Sequence, residues 1–253
     1  MGSERRTYVF CALLYAVVLE VLLVGAILYW PHMIKSIGAL KALAPMEMLR
    51  DMVDVVQKSG VAAYVNLQHY FKGCNSLGGL VAVVLAILAV SGEAWRGTLE
   101  IWLARPLSRR RILLERYAAG ALAVVVPVYA TSLTIPALLA RVGESLPLGP
   151  ILLASTHQSL FLLAIYGVTF LASCLCDKPI LIAFVALVVA LFQFSIYMIK
   201  VWTHASMFRL ADVFVYDRIF ATGALDPAIC VPLALVSALA CVASVLVFER
   251  RVP

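Results

Sequence analysis

Residues 91–116 read SGEAWRGTLEIWLARPLSRRRILLER, and long apolar runs flank them on both sides. Six arginines (Arg96, Arg105, Arg109, Arg110, Arg111 and Arg116) are interspersed with Glu93, Glu100 and Glu115. A stretch this charged, set between two runs of membrane-spanning length, belongs at a membrane surface and not inside the hydrocarbon. Residues 93–104 lack proline and β-branched runs, so their composition suits a helix of about three turns. Leu99, Trp102 and Leu103 then share one apolar stripe. Glu93, Arg96 and Glu100 share the opposite side, where three- and four-residue spacing lets their charges meet. Pro106 ends that helix by disfavouring helical geometry at Arg105. Ser108 is placed to N-cap the next helix, without a capping box, because Arg111 stands where Glu or Gln would be. Two readings fit such a segment: a solvated basic turn that fixes topology, or a docking helix for a soluble partner.

Composition sets the class of the whole chain. Of its 253 residues, 64% are hydrophobic and only 13% are charged, and the mean hydropathy is +1.00. A soluble domain has roughly 45–50% apolar and about 25% charged residues, so the chain reads as a polytopic, all-α membrane protein. Six spans are expected, at about residues 8–30, 74–90, 112–139, 151–174, 180–199 and 228–248, within a single permease-like transmembrane domain, 1–253. The first is too long for a signal peptide, and no small-residue cleavage site follows it. Between the first two spans, residues 45–58 place Met48, Leu49, Met52, Val53 and Val56 on one face and charges on the other, the pattern of an interfacial amphipathic helix. Tyr64, Tyr70 and Phe71 read as a return to the interface. Gly78 and Gly79 allow close helix approach in the second span, and Pro127 and Pro136 are expected to kink the third.

Both ends of the chain carry paired arginines. With six spans they lie on the same side as residues 91–116, where basic residues are denser than in the opposite segments. That density predicts a cell-membrane protein with both termini and the 91–111 loop in the cytosol. The formal charge of +6 is thereby accounted for by topology, and no nucleic-acid motif accompanies it. There is no GxxxxGK[ST] phosphate loop, no HExxH and no GxSxG, and hence no case for a catalytic site or a cofactor on this chain. The histidines, His32, His69, His157 and His204, share no ligand spacing and read as isolated interfacial residues, with no metal site. The six cysteines read as small hydrophobes, with a Cys74–Cys230 disulfide as one further option. Glu20 is the one ionisable side chain inside a span. It is either a hydrogen-bonded acid joining two helices or a residue lining a translocation path. Gln158 and Gln193 are further candidates for that path, although lone polar residues in spans usually join helices.

The run Glu93, Arg96-Gly97-Thr98-Leu99-Glu100, Leu103, Arg105-Pro106-Leu107-Ser108-Arg109 and Ile112-Leu113-Leu114 resembles the hallmark of type-2 ABC exporter permeases. The match covers about 25 residues. In that family the segment is a coupling helix seated on the ATPase subunit. The resemblance implies that Glu93, Arg96, Gly97, Thr98, Leu99, Glu100, Trp102, Leu103 and Arg105 dock an ATPase, and that two cytosolic ABC ATPase subunits carry the ATP and magnesium. It also implies a second permease copy, with the pair enclosing a path through the lipid bilayer. Many members begin with a long amphipathic helix, whereas only about seven residues precede the first span here. A membrane anchor or assembly subunit that docks a partner without transport is the alternative reading.

Overall fold

The computed structural model describes residues 2–99 and 108–250, with side chains from residue 6 onward. Every regular element among them is helical: α1 (Gly2–Leu43), α2 (Glu47–Ser59), α3 (Val61–Val65), a π-helical segment (Asn66–Gly78), α4 (Gly79–Ala89), α5 (Ser91–Trp95), α6 (Arg109–Ser132), α7 (Ile135–Ala140), α8 (Leu148–Leu175), α9 (Pro179–Met198), two short 3-10 helices (Thr203–Ala205 and Met207–Ala211), α10 (Val213–Thr222) and α11 (Pro227–Glu249). Six of the resulting rods are long and apolar enough to cross a bilayer: Arg6–Leu43, Val61–Ala89, Arg109–Ala140, Leu148–Leu175, Pro179–Met198 and Pro227–Glu249.

The first helix outruns the expected 8–30 because its buried stripe does not stop at Pro31. Tyr15, Leu19, Leu23, Ile27, Trp30, Met33 and Ile37 recur every three or four residues and are all buried. The packing that this stripe gains outweighs the one backbone hydrogen bond that proline forgoes. The second span likewise starts at Val61, well before residue 74. Its first half looks polar in sequence, yet Tyr64, Tyr70 and Phe71 are buried in the bundle and do not form an interfacial belt. The π-helical winding of Asn66–Gly78 lies in this half.

α8 is the most enclosed span, packed against α4, α6 and α11. The main core there includes Leu85, Val124, Phe161, Leu162, Tyr166 and Phe170. Gly78 explains one close approach. A Cβ there would lie 2.8 Å from Leu162 Cδ1 and against the Tyr15 hydroxyl, so only hydrogen leaves room for α1 and α8 together. α9, by contrast, exposes Phe184, Leu187, Leu191 and Phe192, as expected of a helix facing lipid or another membrane chain.

At the end of the bundle away from α5, α2 packs on α1, α3 and α10 through the apolar face that its pattern predicts. Met48, Met52 and Val56 are buried beneath it. Its charges reach neighbouring helix ends: Lys200 Nζ is 2.7 Å from Glu47 Oε1 and 3.0 Å from Asp51 Oδ2, and Lys41 Nζ is 2.5 Å from Asp54 Oδ1. These are exposed pairs, weak in water, so the buried methionines hold α2 and the charges set its direction. Pro136 does not kink a continuous third helix. It sits in the first turn of α7, after a break at Leu133 and Thr134.

Candidate functional site

The segment after the second span forms a braced elbow. α4 ends at Ala89, Val90 leaves helical geometry (φ −132°, ψ −63°), and α5 turns away for five residues. Three bonds tie this corner to its neighbours. The Ser91 amide donates to Ser173 Oγ on α8 (2.8 Å), and that hydroxyl donates back to the Ile87 carbonyl (3.3 Å). From α6, the buried Arg116 guanidinium donates through Nη1 to the Ala89 carbonyl. The orphan carbonyls at the end of α4 thus take their partners from the third and fourth spans.

Glu93 organises the tip. It is only 7% exposed. Its carboxylate accepts the Thr98 hydroxyl through Oε2 and lies 3.6 Å from Arg96 Nη1 through Oε1. The Glu93 carbonyl accepts both the Thr98 amide (3.1 Å) and the Thr98 hydroxyl (3.2 Å). Closing that loop requires the chain to reverse at Gly97, whose φ is +69°. L-residues avoid this region, so glycine is the residue that fits. The expected uninterrupted helix over 93–104 is therefore broken at Arg96-Gly97. The i,i+3 meeting of Glu93 with Arg96 does occur, but as a clamp around a turn.

The side chains point in two directions. Arg96 and Trp95 face outward, with Trp95 64% exposed. Leu99 is buried in the main core, so it pins the loop to its own bundle and offers no free anchor to a partner. Glu100, Trp102, Leu103 and Arg105 lie outside the described residues. Beyond them, Ser108 caps α6 as its position predicts, accepting the Arg111 amide at 3.3 Å. Arg111 pairs with Glu115 on the same exposed helix face.

The expected path residues do not share one location. Glu20 accepts the Thr134 hydroxyl at 3.1 Å, which joins α1 to the break between α6 and α7. Gln193 accepts the Met207 amide at 3.0 Å, and its carbonyl accepts the Ser206 hydroxyl at 2.7 Å. It ties the segment after α9 to that helix and lies apart from the bundle centre. Gln158 alone is central. Fully buried, it donates to Asn75 Oδ1 (2.8 Å) and accepts the Tyr216 hydroxyl, while Asn75 donates to the Ala211 carbonyl (2.8 Å).

Around Gln158 lies a polar centre that sequence spacing did not reveal. Tyr70 stacks on Tyr216 with ring centroids 5.0 Å apart, and its hydroxyl donates to the Ile151 carbonyl at 3.0 Å. His69 Nε2 is 3.1 Å from Ser132 Oγ. His157 Nε2 is 2.6 Å from the Leu210 carbonyl. His69 and His157 are therefore buried network members and not isolated residues. In hydrocarbon surroundings each unsatisfied polar group costs several kcal/mol, so this network closes the bundle centre and seats the residues 203–222 against it. No two of the six cysteines are joined, so Cys74 and Cys230 form no disulfide. Among the described residues no group of three or more His, Cys, Asp or Glu could hold a metal.

Comparison with curated proteins returns no significant match. Residues 4–214 match the family described as ABC-2 family transporter protein. That match takes in the elbow, the polar centre except Tyr216, and five of the six spans. The all-helical, six-span architecture agrees with it, and the chain belongs to the ABC-2 transporter family as a membrane-embedded permease subunit.

Proposed function

We propose that this permease works in an ATP-binding-cassette exporter. Two copies enclose the path, and two cytosolic ATPase subunits holding ATP and magnesium dock on the 91–111 loop. Both termini lie on that same cytosolic side. The observation that carries this reading is the construction of the elbow. Outward-facing Trp95 and Arg96 sit on a corner whose backbone is bonded to the third and fourth spans through Arg116 and Ser173. A displacement applied at the tip reaches three spans through packed, hydrogen-bonded groups and not through a slack loop. In this scheme Glu93, Gly97 and Thr98 shape the corner and Leu99 fastens it. Arg96, Glu100, Trp102, Leu103 and Arg105 meet the ATPase. Glu20 and Gln158 are the polar groups nearest any path that opens between the spans.

The test is co-purification with the partner ATPase and vesicle transport at matched expression. Truncation of an interface anchor typically costs 2 kcal/mol or more, about 30-fold in affinity, whereas a rim charge costs less. Trp102→Ala is expected to weaken ATPase binding or coupling more than Arg110→Ala. The reverse order would make the loop a basic electrostatic platform. Full binding with no transport would support the anchor reading.

A further inference from the structure

We propose that Asn66 and His69, on the second span, contact the uncharged hydrogen-bonding groups (hydroxyl or amide) of the exported molecule when the bundle opens. This rests on the exporter reading above and adds two residues to the polar groups named there. Both lie at the end of that span away from the elbow, and both are buried in the present arrangement.

Two asparagines of this one span differ in kind. Asn75 is satisfied at both ends of its amide: Nδ2 donates to the Ala211 carbonyl (2.8 Å), and Oδ1 accepts from Gln158 Nε2 (2.8 Å). Asn66 is just as buried, yet neither its Oδ1 nor its Nδ2 has a hydrogen-bond partner among the described residues. His69, within one turn of it, repeats the pattern at one atom. Its Nε2 is 3.1 Å from Ser132 Oγ, while its buried Nδ1 has no partner among the described residues. The tautomer does not change this. A proton on Nδ1 leaves a donor unpaired, and a proton on Nε2 leaves an acceptor unpaired. These atoms have given up water without a bond in return, which native structures rarely permit without a specific cause. Leucine, of similar size, would suit residue 66 better in the closed bundle. The use of the amide therefore lies in another arrangement of the same helices.

The surroundings show how that arrangement forms. Asn66 opens the π-helical segment Asn66–Gly78, and π-helical winding occurs frequently at functional sites. The segment and α3 before it pack against α1 and the short α10. Leu23 and Ile27 of α1 and Phe220 of α10 share one apolar cluster with Val65, the neighbour of Asn66. Withdrawal of α10 or α1 from the second span gives the amide and the imidazole something to bond. A molecule that bonds them stabilises the open arrangement and gains nothing in the closed one, and that difference is what shifts a population. The chemistry of the two side chains sets the class of group they take. The amide presents a donor beside an acceptor, and the neutral imidazole adds one more of either kind. Hydroxyl and amide groups answer both roles, whereas a bare ion would find no opposite charge on either residue.

The test joins melting, labelling and hydrolysis. In the detergent-solubilised full chain, Asn66→Leu should raise the melting temperature by about 2–8 °C. Asn75→Leu, at the satisfied amide, should lower it. In the nanodisc complex with the ATPase, Asn66→Cys should react with a water-soluble methanethiosulfonate about tenfold faster in the ATP-bound or vanadate-trapped state than without nucleotide, read by peptide mass spectrometry. Octyl glucoside below its micellar concentration, a neutral hydroxyl-bearing probe, should stimulate hydrolysis by the wild-type complex and several-fold less by the Asn66→Leu complex. Melting of Asn66→Leu at or below the wild-type temperature would mean that the amide is satisfied where it lies, as by a bound water, and would overturn the site. So would labelling that no nucleotide state changes, or a probe that stimulates neither complex or both equally. A wild-type chain that neither binds the ATPase nor alters its hydrolysis would instead sink the exporter reading itself.

Discussion

Replacing Glu93 by alanine removes the group that closes the elbow, and the structure sets how much that should matter. The buried carboxylate accepts the Thr98 hydroxyl, a charge-assisted bond worth about 1.5–3 kcal/mol. Its ion pair with Arg96 spans 3.6 Å to a guanidinium that is more than half exposed, so it adds only about 0–1 kcal/mol. The loss is thus roughly 2–3 kcal/mol, concentrated on local opening of residues 91–99 because the spans keep their own packing. Local opening controls amide exchange. The Thr98 amide, bonded to the Glu93 carbonyl, should exchange roughly 30- to 150-fold faster in the variant. Amides in α8 should be unchanged. Thr98→Val should accelerate exchange at Glu93, Ala94 and Arg96 by a similar factor, and the double substitution should be scarcely worse than either single one, since both remove one bond. Unchanged exchange at Thr98, or effects of the two substitutions that simply add, would refute the clamp. In a complex with the ATPase, the same variants should hydrolyse ATP with reduced transport per turnover.

Three further outcomes follow from the geometry. Gly97→Ala forces an L-residue to φ +69° and should cost about 1–2 kcal/mol, read as faster exchange at Thr98 with little change in global melting. Tyr216→Phe leaves the fully buried Gln158 Oε1 without its hydroxyl donor and should cost about 1–3 kcal/mol in detergent melting. Asp212 caps α10 through Oδ1 to the Val215 amide, and burial lifts its carboxyl to about 6. A carboxyl whose folded value is raised contributes stability that is fully present below about 4 and is lost as pH rises through 6. The wild type should therefore weaken between pH 4 and 8 by up to about 3 kcal/mol relative to Asp212→Asn, which keeps the cap. Parallel melting curves for the two proteins across that range would refute it.

Composition and periodicity made the class, the six spans and the amphipathic α2 legible, because each is a property of a face or of a run. The misplaced boundaries have two causes. A hydropathy run stops at the first proline or polar cluster, whereas packing follows a stripe. Met33 and Ile37 continue the stripe of α1 past Pro31, and reading every third or fourth residue would have found them. The start of the second span was hidden differently. Asn66, Gln68, His69 and Lys72 read as a loop, yet His69 meets Ser132 and Asn75 meets Ala211, partners at least 60 residues away. His69 Nε2 and Asn75 Nδ2 find their partners on distant elements, a long-range fact that a window cannot contain, whereas the Asn66 amide and His69 Nδ1 are buried without a partner among the described residues.

The elbow separates what a motif can say from what geometry adds. Arg96-Gly97-Thr98-Leu99 resembles part of the hallmark of a permease family, and helix propensity by itself suggests one straight amphipathic rod. Propensity counts each residue alone and charges Gly97 only about 1 kcal/mol as a helix member. It cannot register that Glu93, Thr98 and Arg96 gain more by folding around that glycine than by staying in line. The turn has a consequence for coupling. In the proposed exporter a rod would transmit force along its own axis, whereas a corner fastened by Arg116 and Ser173 would pass a push at its tip to α6 and α8. Arg116 is the decisive fastening, since its guanidinium is buried and bonded to the last carbonyl of α4. Arg116→Lys keeps the charge but loses the planar fork, so it should uncouple ATP hydrolysis from transport while leaving ATPase binding intact. Equal coupling in the Lys variant would mean that the push travels through Ser173 and α8 alone.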